Sequence, residues 1–295
     1  MTAIVAQNLT KRYGNETAVS DLDITVRTGE IFGLVGPNGA GKSTTIAMFL
    51  DYCRPTSGSV SILSRDPRVD PVGIRHSVGV LPERCGLFPR LTGVEHLEYA
   101  IEASNAPDEP ADLLARVGLR DAGDRPTREY STGMAQRLRL ALSLVNDPKL
   151  LLFDEPAAGL DPNGIARLRD LIITERERGT SVFVSSHHLS NVEQVCDRVA
   201  ILLDGSLRTI ETLDHQRARW VRLRDIDSSD SLLAKLEADP AIARVVQVPD
   251  PEILEIKLAA GADANQLLAN LSVDHSPVTR PGLTELFDRL TGGQR

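Results

Sequence analysis

The segment Gly36-Pro37-Asn38-Gly39-Ala40-Gly41-Lys42-Ser43-Thr44 decides the fold of this 295-residue chain. It matches the pattern G-x-x-x-x-G-K-[ST], follows the strand-like run ITVRTGEIFGLV and precedes the helix-like run TTIAMFLDYC. In such a loop, glycines let several backbone N–H groups converge on phosphate oxygens at the positive end of the next helix. The segment therefore predicts a strand, loop and helix that hold a nucleotide. The alternative is a glycine-rich turn without a ligand.

The polar side chains of this loop have predicted roles of their own. We expect Lys42 to reach the β- and γ-phosphates of the nucleotide and Ser43 to ligate Mg²⁺. The residues predicted to bind the nucleotide in this loop are Gly36, Asn38, Gly39, Gly41, Lys42, Ser43 and Thr44.

A second motif supplies two carboxylates. The run KLLLFDE has the apolar pattern of a buried strand and ends in Asp154 and Glu155. Downstream of a phosphate-binding loop, Asp154 is predicted to hold Mg²⁺ and Glu155 to polarise the attacking water. Taken alone, the motif is weak, because an apolar strand that ends in Asp-Glu is often simply a solvated strand end.

The composition describes an ordinary folded chain. Hydrophobic residues make up 41% and charged residues 25%, and the net charge of -8 argues against nucleic-acid binding, which draws its affinity from a basic surface. The three cysteines show no metal-ligand spacing, which fits reduced thiols. No run approaches the roughly 18 apolar residues of a membrane span, and the N-terminus lacks signal-peptide features. We therefore expect any membrane role to come through a partner.

The order of patterns along the chain predicts two domains. Amphipathic helical periodicity marks residues 85–147 as a lobe inserted into the core, after which apolar strands alternate with helices. This alternation predicts a mostly parallel α/β sheet over residues 1–215. Residues 216–295 are predicted to form a small α+β domain, with strands in WVRLRDI, AIARVVQV and EILEIKL and helices in DSLLAKLEAD, ADANQLLANL and GLTELFDRL.

These motifs together resemble the nucleotide-binding subunits of ABC transporters, over residues 1–215. YSTGMAQRLRLALSLVNDPKLLLFDEP is similar to the ABC signature helix leading into the Walker B strand, with Ser131 and Gly133 at the serine and second glycine of LSGGQ. The resemblance implies a P-loop NTPase fold, ATP with Mg²⁺, and a signature that contacts ATP held by a second ATPase subunit. It therefore implies a dimer, expected as a homodimer with a paralogue as the alternative. Taken alone, Ser131 is better explained as an ordinary helix cap.

The resemblance implies further site residues. Asp161 matches the D-loop and His187 the switch histidine, with the adjacent His188 as the alternative. Tyr13 stands where the family stacks an aromatic ring on adenine, and a packed strand residue is the alternative reading. Glu83 replaces the usual Q-loop glutamine, and its carboxylate is expected to ligate Mg²⁺ or its water.

LPERCGLFPRLT and the closing PGLTELFDRLTGG resemble the ATPases of ABC-2 type drug and antibiotic exporters. For the closing segment, a plain amphipathic terminal helix is the alternative. The likeness implies export of a drug, antibiotic or lipid-like substrate through an integral-membrane permease. It also implies residues 86–97 as the surface facing that partner, and a cytoplasmic position at the inner face of the membrane.

Two other functions compete with the transport motor. One is a soluble ATPase that acts on ribosomes or nucleic acid, although such relatives generally carry two cassettes or long coiled-coil arms. The other is a regulatory nucleotide-binding module with poor turnover, which the intact Lys42, Asp154, Glu155 and His187 disfavour. The arginine run at 217–224 suggests nucleic acid, but one solvated basic face of a strand explains it better, and no nucleic-acid partner is expected.

Overall fold

The computed structural model describes residues 1–83, 85–213, 220–224, 233, 236, 238–247, 254–258, 274–278 and 287. It divides into two compact units, Met1–Leu213 and Asp214–Arg295. Arg84, the start of the arginine run at 217–219 and most of the predicted C-terminal helices and closing segment lie outside the described residues.

The first unit contains nine strands that form one sheet. The strands are β1 (Thr2–Tyr13), β2 (Glu16–Arg27), β3 (Ile31–Val35), β4 (Ser57–Ile62), β5 (Val78–Leu81), β6 (Leu150–Asp154), β7 (Ser181–Ser186), β8 (Arg198–Leu203) and β9 (Ser206–Thr212). Their order in the sheet is β4-β1-β2-β9-β8-β3-β7-β6-β5.

Seven helices connect or flank these strands: α1 (Lys42–Phe49), α2 (Pro71–Arg75), α3 (Gly93–Ser104), α4 (Pro110–Arg116), α5 (Thr132–Ser143), α6 (Pro162–Glu177) and α7 (Leu189–Glu193). Two short 3₁₀ turns, Arg120–Ala122 and Thr127–Glu129, lie between α4 and α5.

The parallel part of the sheet positions the predicted site. Strands β8, β3, β7, β6 and β5 run parallel to one another, as predicted from the alternation of strands and helices, whereas β9 pairs antiparallel with the outer edge of β8. The carboxyl ends of β3, β6 and β7 are therefore adjacent, and the loops that follow them carry the phosphate-binding segment, Glu155 and His187. The antiparallel pairing of β1 with β2 and β4 is a feature that the sequence does not predict.

The core fixes α1 against the sheet. Phe32 and Phe183 on neighbouring strands stack with ring centroids 5.8 Å apart, and Phe49 of α1 meets Phe183 edge-on at 5.3 Å. All three rings are fully buried. Burying one such side chain stabilises the fold by about 1.5–3 kcal/mol. The helix that follows the phosphate-binding loop is thus anchored to the sheet at its C-terminal end.

The inserted lobe consists of α3, α4 and α5 and lies in the chain between β5 and β6. Helix α3 begins at a capping box, in which Thr92 Oγ1 accepts a hydrogen bond from the Glu95 amide at 3.1 Å and Glu95 Oε2 accepts one from the Thr92 amide at 2.7 Å. An ion pair between Arg116 of α4 and the buried Glu175 of α6 joins the lobe to the sheet-flanking helices.

The second unit contains a four-stranded antiparallel sheet of β10 (Trp220–Arg224), β11 (Ile242–Gln247), β12 (Leu254–Leu258) and β13 (Asp274–Val278), in the order β11-β12-β10-β13. The first three strands lie where the sequence predicts them. Strand β13 is not predicted, because Pro277 disfavours a strand. The structure accommodates this proline because β13 is an edge strand, where a missing N–H donor breaks no sheet ladder on its outer side.

Candidate functional site

The phosphate-binding loop has the backbone that its glycines predict. Gly41 caps α1 with φ 102°, in the left-handed region, and a Cβ at this position would collide with the carbonyl oxygen of Ala18. The buried ammonium of Lys42 donates to the carbonyl oxygens of Gly36 at 2.8 Å and Pro37 at 3.2 Å. The loop therefore wraps around its own lysine at the N-terminus of α1, where backbone N–H groups favour an anion.

Glu155 lies at the centre of the charged cluster. Its Oε1 atom is 3.2 Å from the ammonium nitrogen of Lys42, a charge contact that lacks hydrogen-bond geometry, so this buried oxygen accepts no hydrogen bond from residues 1–83 and 85–213. Its Oε2 atom lies 2.9 Å from Nδ1 of His187. The structure thus brings together three residues that the sequence predicts separately, and it leaves one buried carboxylate oxygen without a hydrogen bond from the described residues.

Glu155 holds its position at a cost to the backbone. Its φ of 50° lies in the left-handed region, which a non-glycine residue rarely adopts. Such conformations cost about 1–3 kcal/mol and persist only where surrounding contacts enforce them. The Glu155 amide donates to Oγ of Ser185 at 3.1 Å, so β7 provides one of these contacts.

Asp154 is oriented by the same serine. Oγ of Ser185 donates to Oδ1 of Asp154 at 2.5 Å, and both side chains are buried. Ser185 therefore positions both predicted acids, yet sequence analysis does not identify it. The signal is present in SVFVSS, where a buried parallel strand becomes polar at its carboxyl end, the edge at which α/β proteins bind ligands.

Tyr13 lies half-exposed at the end of β1. Its hydroxyl is 3.1 Å from Sγ of Cys53, and Nζ of Lys11 lies 4.8 Å from the centre of its ring. The hydrogen bond with Cys53, more than burial, raises the pKa of the Tyr13 phenol, and a hydrogen bond with Thr44 opposes this effect. Tyr13 is therefore connected to the first turn of α1 and keeps ring surface available for a flat ligand.

The signature residues and Asp161 lie apart from this cluster. Ser131 caps α5 by accepting a hydrogen bond from the Met134 amide at 3.2 Å, and Asp161 caps α6 by accepting one from the Gly164 amide at 2.6 Å. Gly133 lies in the first turn of α5. Within residues 1–83 and 85–213, no hydrogen bond or ion pair joins Ser131, Gly133 or Asp161 to Lys42, Glu155 or His187.

The remaining predicted residues occupy the rim of the site. Asn38, Gly39 and Ser43 are exposed, and a Cβ on Gly39 would meet no atom within 4 Å. Glu83 is exposed just beyond β5. The described residues contain no group of three or more His, Cys, Asp or Glu side chains that would hold a metal ion unaided. The oxygens of Ser43, Asp154 and Glu83 nevertheless fit Mg²⁺, which takes one or two carboxylates together with substrate phosphates and water.

Comparison with known proteins agrees with this geometry. Residues 19–158 match the family model described as ABC transporter. The uncharacterized ABC transporter ATP-binding protein YhcH of Bacillus subtilis (strain 168) is 38% identical over 88% of this chain and 84% of its own. The bacitracin transport ATP-binding protein BcrA of Bacillus licheniformis is 38% identical over 99% of this chain and 98% of its own.

The fold is confirmed by a solved structure. The ATP binding subunit of an ABC transporter superposes with a TM-score of 0.66 and 30% identity, covering 73% of this chain and 92% of its own. The predicted P-loop fold and the predicted membership of the ABC transporter nucleotide-binding subunits are thus confirmed. The chain belongs to the family of ABC transporter ATP-binding proteins.

Proposed function

We propose that this chain hydrolyses Mg²⁺-ATP and drives export of a drug or antibiotic through a separate membrane permease. The arrangement of Glu155 between Lys42 and His187 carries the proposal. Oε1 of Glu155 is buried, accepts no hydrogen bond from residues 1–83 and 85–213, and lies beside the loop that would hold the γ-phosphate. It is positioned to accept a proton from an attacking water, while Lys42 supplies positive charge to the phosphate oxygens.

Each residue of the cluster has a role in that reaction. His187 holds the second carboxylate oxygen of Glu155, which orients the first toward water. Ser185 directs Asp154 so that its carboxylate, with Ser43 and Glu83, would hold Mg²⁺. The metal when bound neutralises charge on the phosphate oxygens. Tyr13 would stack on the adenine ring.

The separation of Ser131, Gly133 and Asp161 from the cluster supports a dimeric site. Ser131 and Gly133 lie at the N-terminal end of the twelve-residue helix α5, where the helix dipole favours an anion. We propose that they contact the γ-phosphate of ATP bound by a second subunit, in a homodimer of this chain.

Exposed aromatic residues support a partner on the inserted lobe. Phe88 and Tyr99 are 64% and 69% exposed, while the Phe88 backbone is fixed because its amide donates to Nε2 of His96 and its carbonyl accepts from Thr127. Rigid exposed rings are typical of interface anchors. We propose that residues 86–97 dock onto the permease at the cytoplasmic face of the membrane. No helix among the described residues has the length and apolar character needed to cross a bilayer.

The likeness to BcrA supports drug or antibiotic export as the process that this chain drives. The alternative, a soluble ATPase acting on ribosomes or nucleic acid, receives no support from these relatives, which are named as transporter proteins.

Two measurements test the proposal. ATP turnover is compared for the wild type, Lys42→Ala and Glu155→Gln: Lys42→Ala should lose nucleotide affinity, whereas Glu155→Gln should keep ATP bound as a dimer and lose about 10²-fold or more in kcat. Undiminished turnover of Glu155→Gln contradicts the assignment of the base.

The second measurement is affinity purification of the tagged chain from gently solubilised membranes of its own host, followed by mass spectrometry. A polytopic membrane protein in stoichiometric amount supports the transport motor. Recovery with ribosomes or DNA, and none with membranes, overturns it.

A further inference from the structure

Two side chains of α5 connect loops that belong to different parts of the candidate site. Nε of Arg139 donates to the carbonyl oxygen of Cys85 at 2.6 Å, and its Nη1 donates to Oε1 of Gln136 at 3.1 Å. Nε2 of Gln136 in turn donates to the carbonyl oxygen of Pro156 at 3.0 Å. These three hydrogen bonds form a continuous connection from the loop after Glu83 to the peptide after Glu155, which we call the Arg139–Gln136 bridge.

These hydrogen bonds allow only one orientation of the Gln136 amide. An arginine only donates and a carbonyl only accepts, so the Gln136 amide must present its oxygen to Arg139 and its nitrogen to Pro156. Gln136 and Arg139 are three residues apart on α5, which places them on the same face of the helix. Gln136 is buried, so a lost partner would leave an unsatisfied polar group away from water.

The bridge restrains Glu155 because it ends at the next residue, Pro156. Glu155 has a left-handed backbone and precedes a proline, which further restricts its conformation. Ser185 holds the amide side of Glu155, and Gln136 holds the carbonyl of the residue that follows it. The two contacts together enclose the strained residue from both sides.

We propose that Gln136 and Arg139 are positioning residues that keep Glu155 in its left-handed conformation and make that conformation depend on the loop at Cys85. A shift of this loop would move Arg139, rotate the Gln136 amide and release the Pro156 peptide. The proposed docking surface begins at residue 86, so a partner bound there would act on Glu155 through this bridge. The inference rests on the proposed role of Glu155 as the catalytic base.

The test compares Arg139→Leu, Gln136→Leu and the double variant in the full-length chain. For each, kcat, KM and the dissociation constant of an ATP analogue are measured, together with hydrogen exchange of the peptide spanning residues 155–161. Each single variant should lower kcat about tenfold or more, since displacing a catalytic group by an ångström costs up to roughly 10²-fold. Nucleotide affinity should stay within about twofold, and exchange at 155–161 should rise.

The double variant should be no slower than Gln136→Leu alone, because Arg139 acts through Gln136. Arg139→Lys, which keeps a charged donor nitrogen but loses the planar fork of the guanidinium, should recover part of kcat. Arg169→Leu is the matched control, since it removes another arginine–glutamine hydrogen bond, to Gln194, and should change none of these quantities.

Unchanged kcat and exchange in Arg139→Leu overturn the bridge. Strictly additive losses in the double variant, or equal losses of kcat and nucleotide affinity, overturn it as well. Hydrogen exchange reports on the bridge even if the wild type fails to hydrolyse ATP. That failure would instead overturn the proposed function.

Discussion

His187 and Lys42 contact opposite oxygens of one carboxylate: Nδ1 of His187 lies 2.9 Å from Oε2 of Glu155, and Lys42 Nζ lies 3.2 Å from Oε1. The histidine is therefore placed to set the rotation of the carboxylate, and the lysine to set its charge environment. Because the two contacts use different oxygens, substitutions of the two residues should have different kinetic signatures.

His187→Ala should lower kcat by about 10–10²-fold while ATP affinity changes little, because Glu155 loses the contact that orients it. Steady-state ATPase kinetics and ATP-analogue binding check this. His188→Ala is the matched control, since its ring lies against that of His187, with centroids 3.9 Å apart, and no hydrogen bond links it to Glu155 in residues 1–83 and 85–213. A larger loss of kcat in His188→Ala than in His187→Ala would show that His188, not His187, is the switch histidine.

Ser185→Ala should raise the Mg²⁺ concentration that turnover requires and should also destabilise the fold. It leaves a buried Asp154 oxygen without its donor and removes the nearer of two acceptors of the Glu155 amide, which keeps the Ser185 carbonyl oxygen at 3.3 Å. We expect a loss of about 1–3 kcal/mol of unfolding free energy. Urea unfolding and a Mg²⁺ titration of ATPase activity measure the two effects.

Ser181→Ala provides the control for Ser185, because Ser181 is buried on the same strand and accepts a hydrogen bond from the Gly29 amide at 2.9 Å. We expect similar destabilisation from this variant with no change in the Mg²⁺ requirement. If both variants shift the requirement equally, Ser185 has no specific role in orienting Asp154.

Tyr13→Ala should weaken ATP binding by about tenfold, because aromatic stacking contributes roughly 0.5–1.5 kcal/mol beyond the area buried. Tyr13→Phe should retain most of the affinity, since the ring rather than the hydroxyl carries the contact. Titration with a fluorescent ATP analogue distinguishes the two variants. Tyr52→Ala is the control, because Tyr52 is also exposed. Equal affinities for Tyr13→Ala and wild type would support the alternative in which Tyr13 is a strand residue without a ligand.

Arg116→Ala should destabilise the fold by about 3 kcal/mol, because it removes the hydrogen-bonded cation of Glu175, which is 1% exposed and keeps only the more distant Arg178 at 4.0 Å. Arg120→Ala removes a cation from an exposed pair with Asp112 at 4.0 Å and should cost less than about 1 kcal/mol. Chemical denaturation of both variants measures the difference. Equal effects would show that Arg178 alone is enough to compensate the buried charge of Glu175.

Local patterns in the sequence determined much of this protein. The glycines and lysine of residues 36–44, the apolar run before Asp154, and the periodicity of residues 93–104 each predict an element whose geometry depends on its own neighbours in the chain. Turn chemistry, strand burial and helix capping act over a few residues, so these elements can be predicted from the sequence without knowledge of the tertiary structure. The phosphate-binding loop and α3 accordingly occur where the sequence predicts them.

Tertiary structure decided the relationships between distant residues. The hydrogen bond of Ser185 to Asp154 joins residues 31 positions apart, and that of Arg139 to Cys85 joins residues 54 positions apart. The choice of His187 over His188 as the neighbour of Glu155, and the edge position that admits Pro277 into β13, likewise depend on how strands are ordered in a sheet. No local pattern encodes these contacts, because each arises only when packing of the whole core brings separate segments within hydrogen-bonding distance.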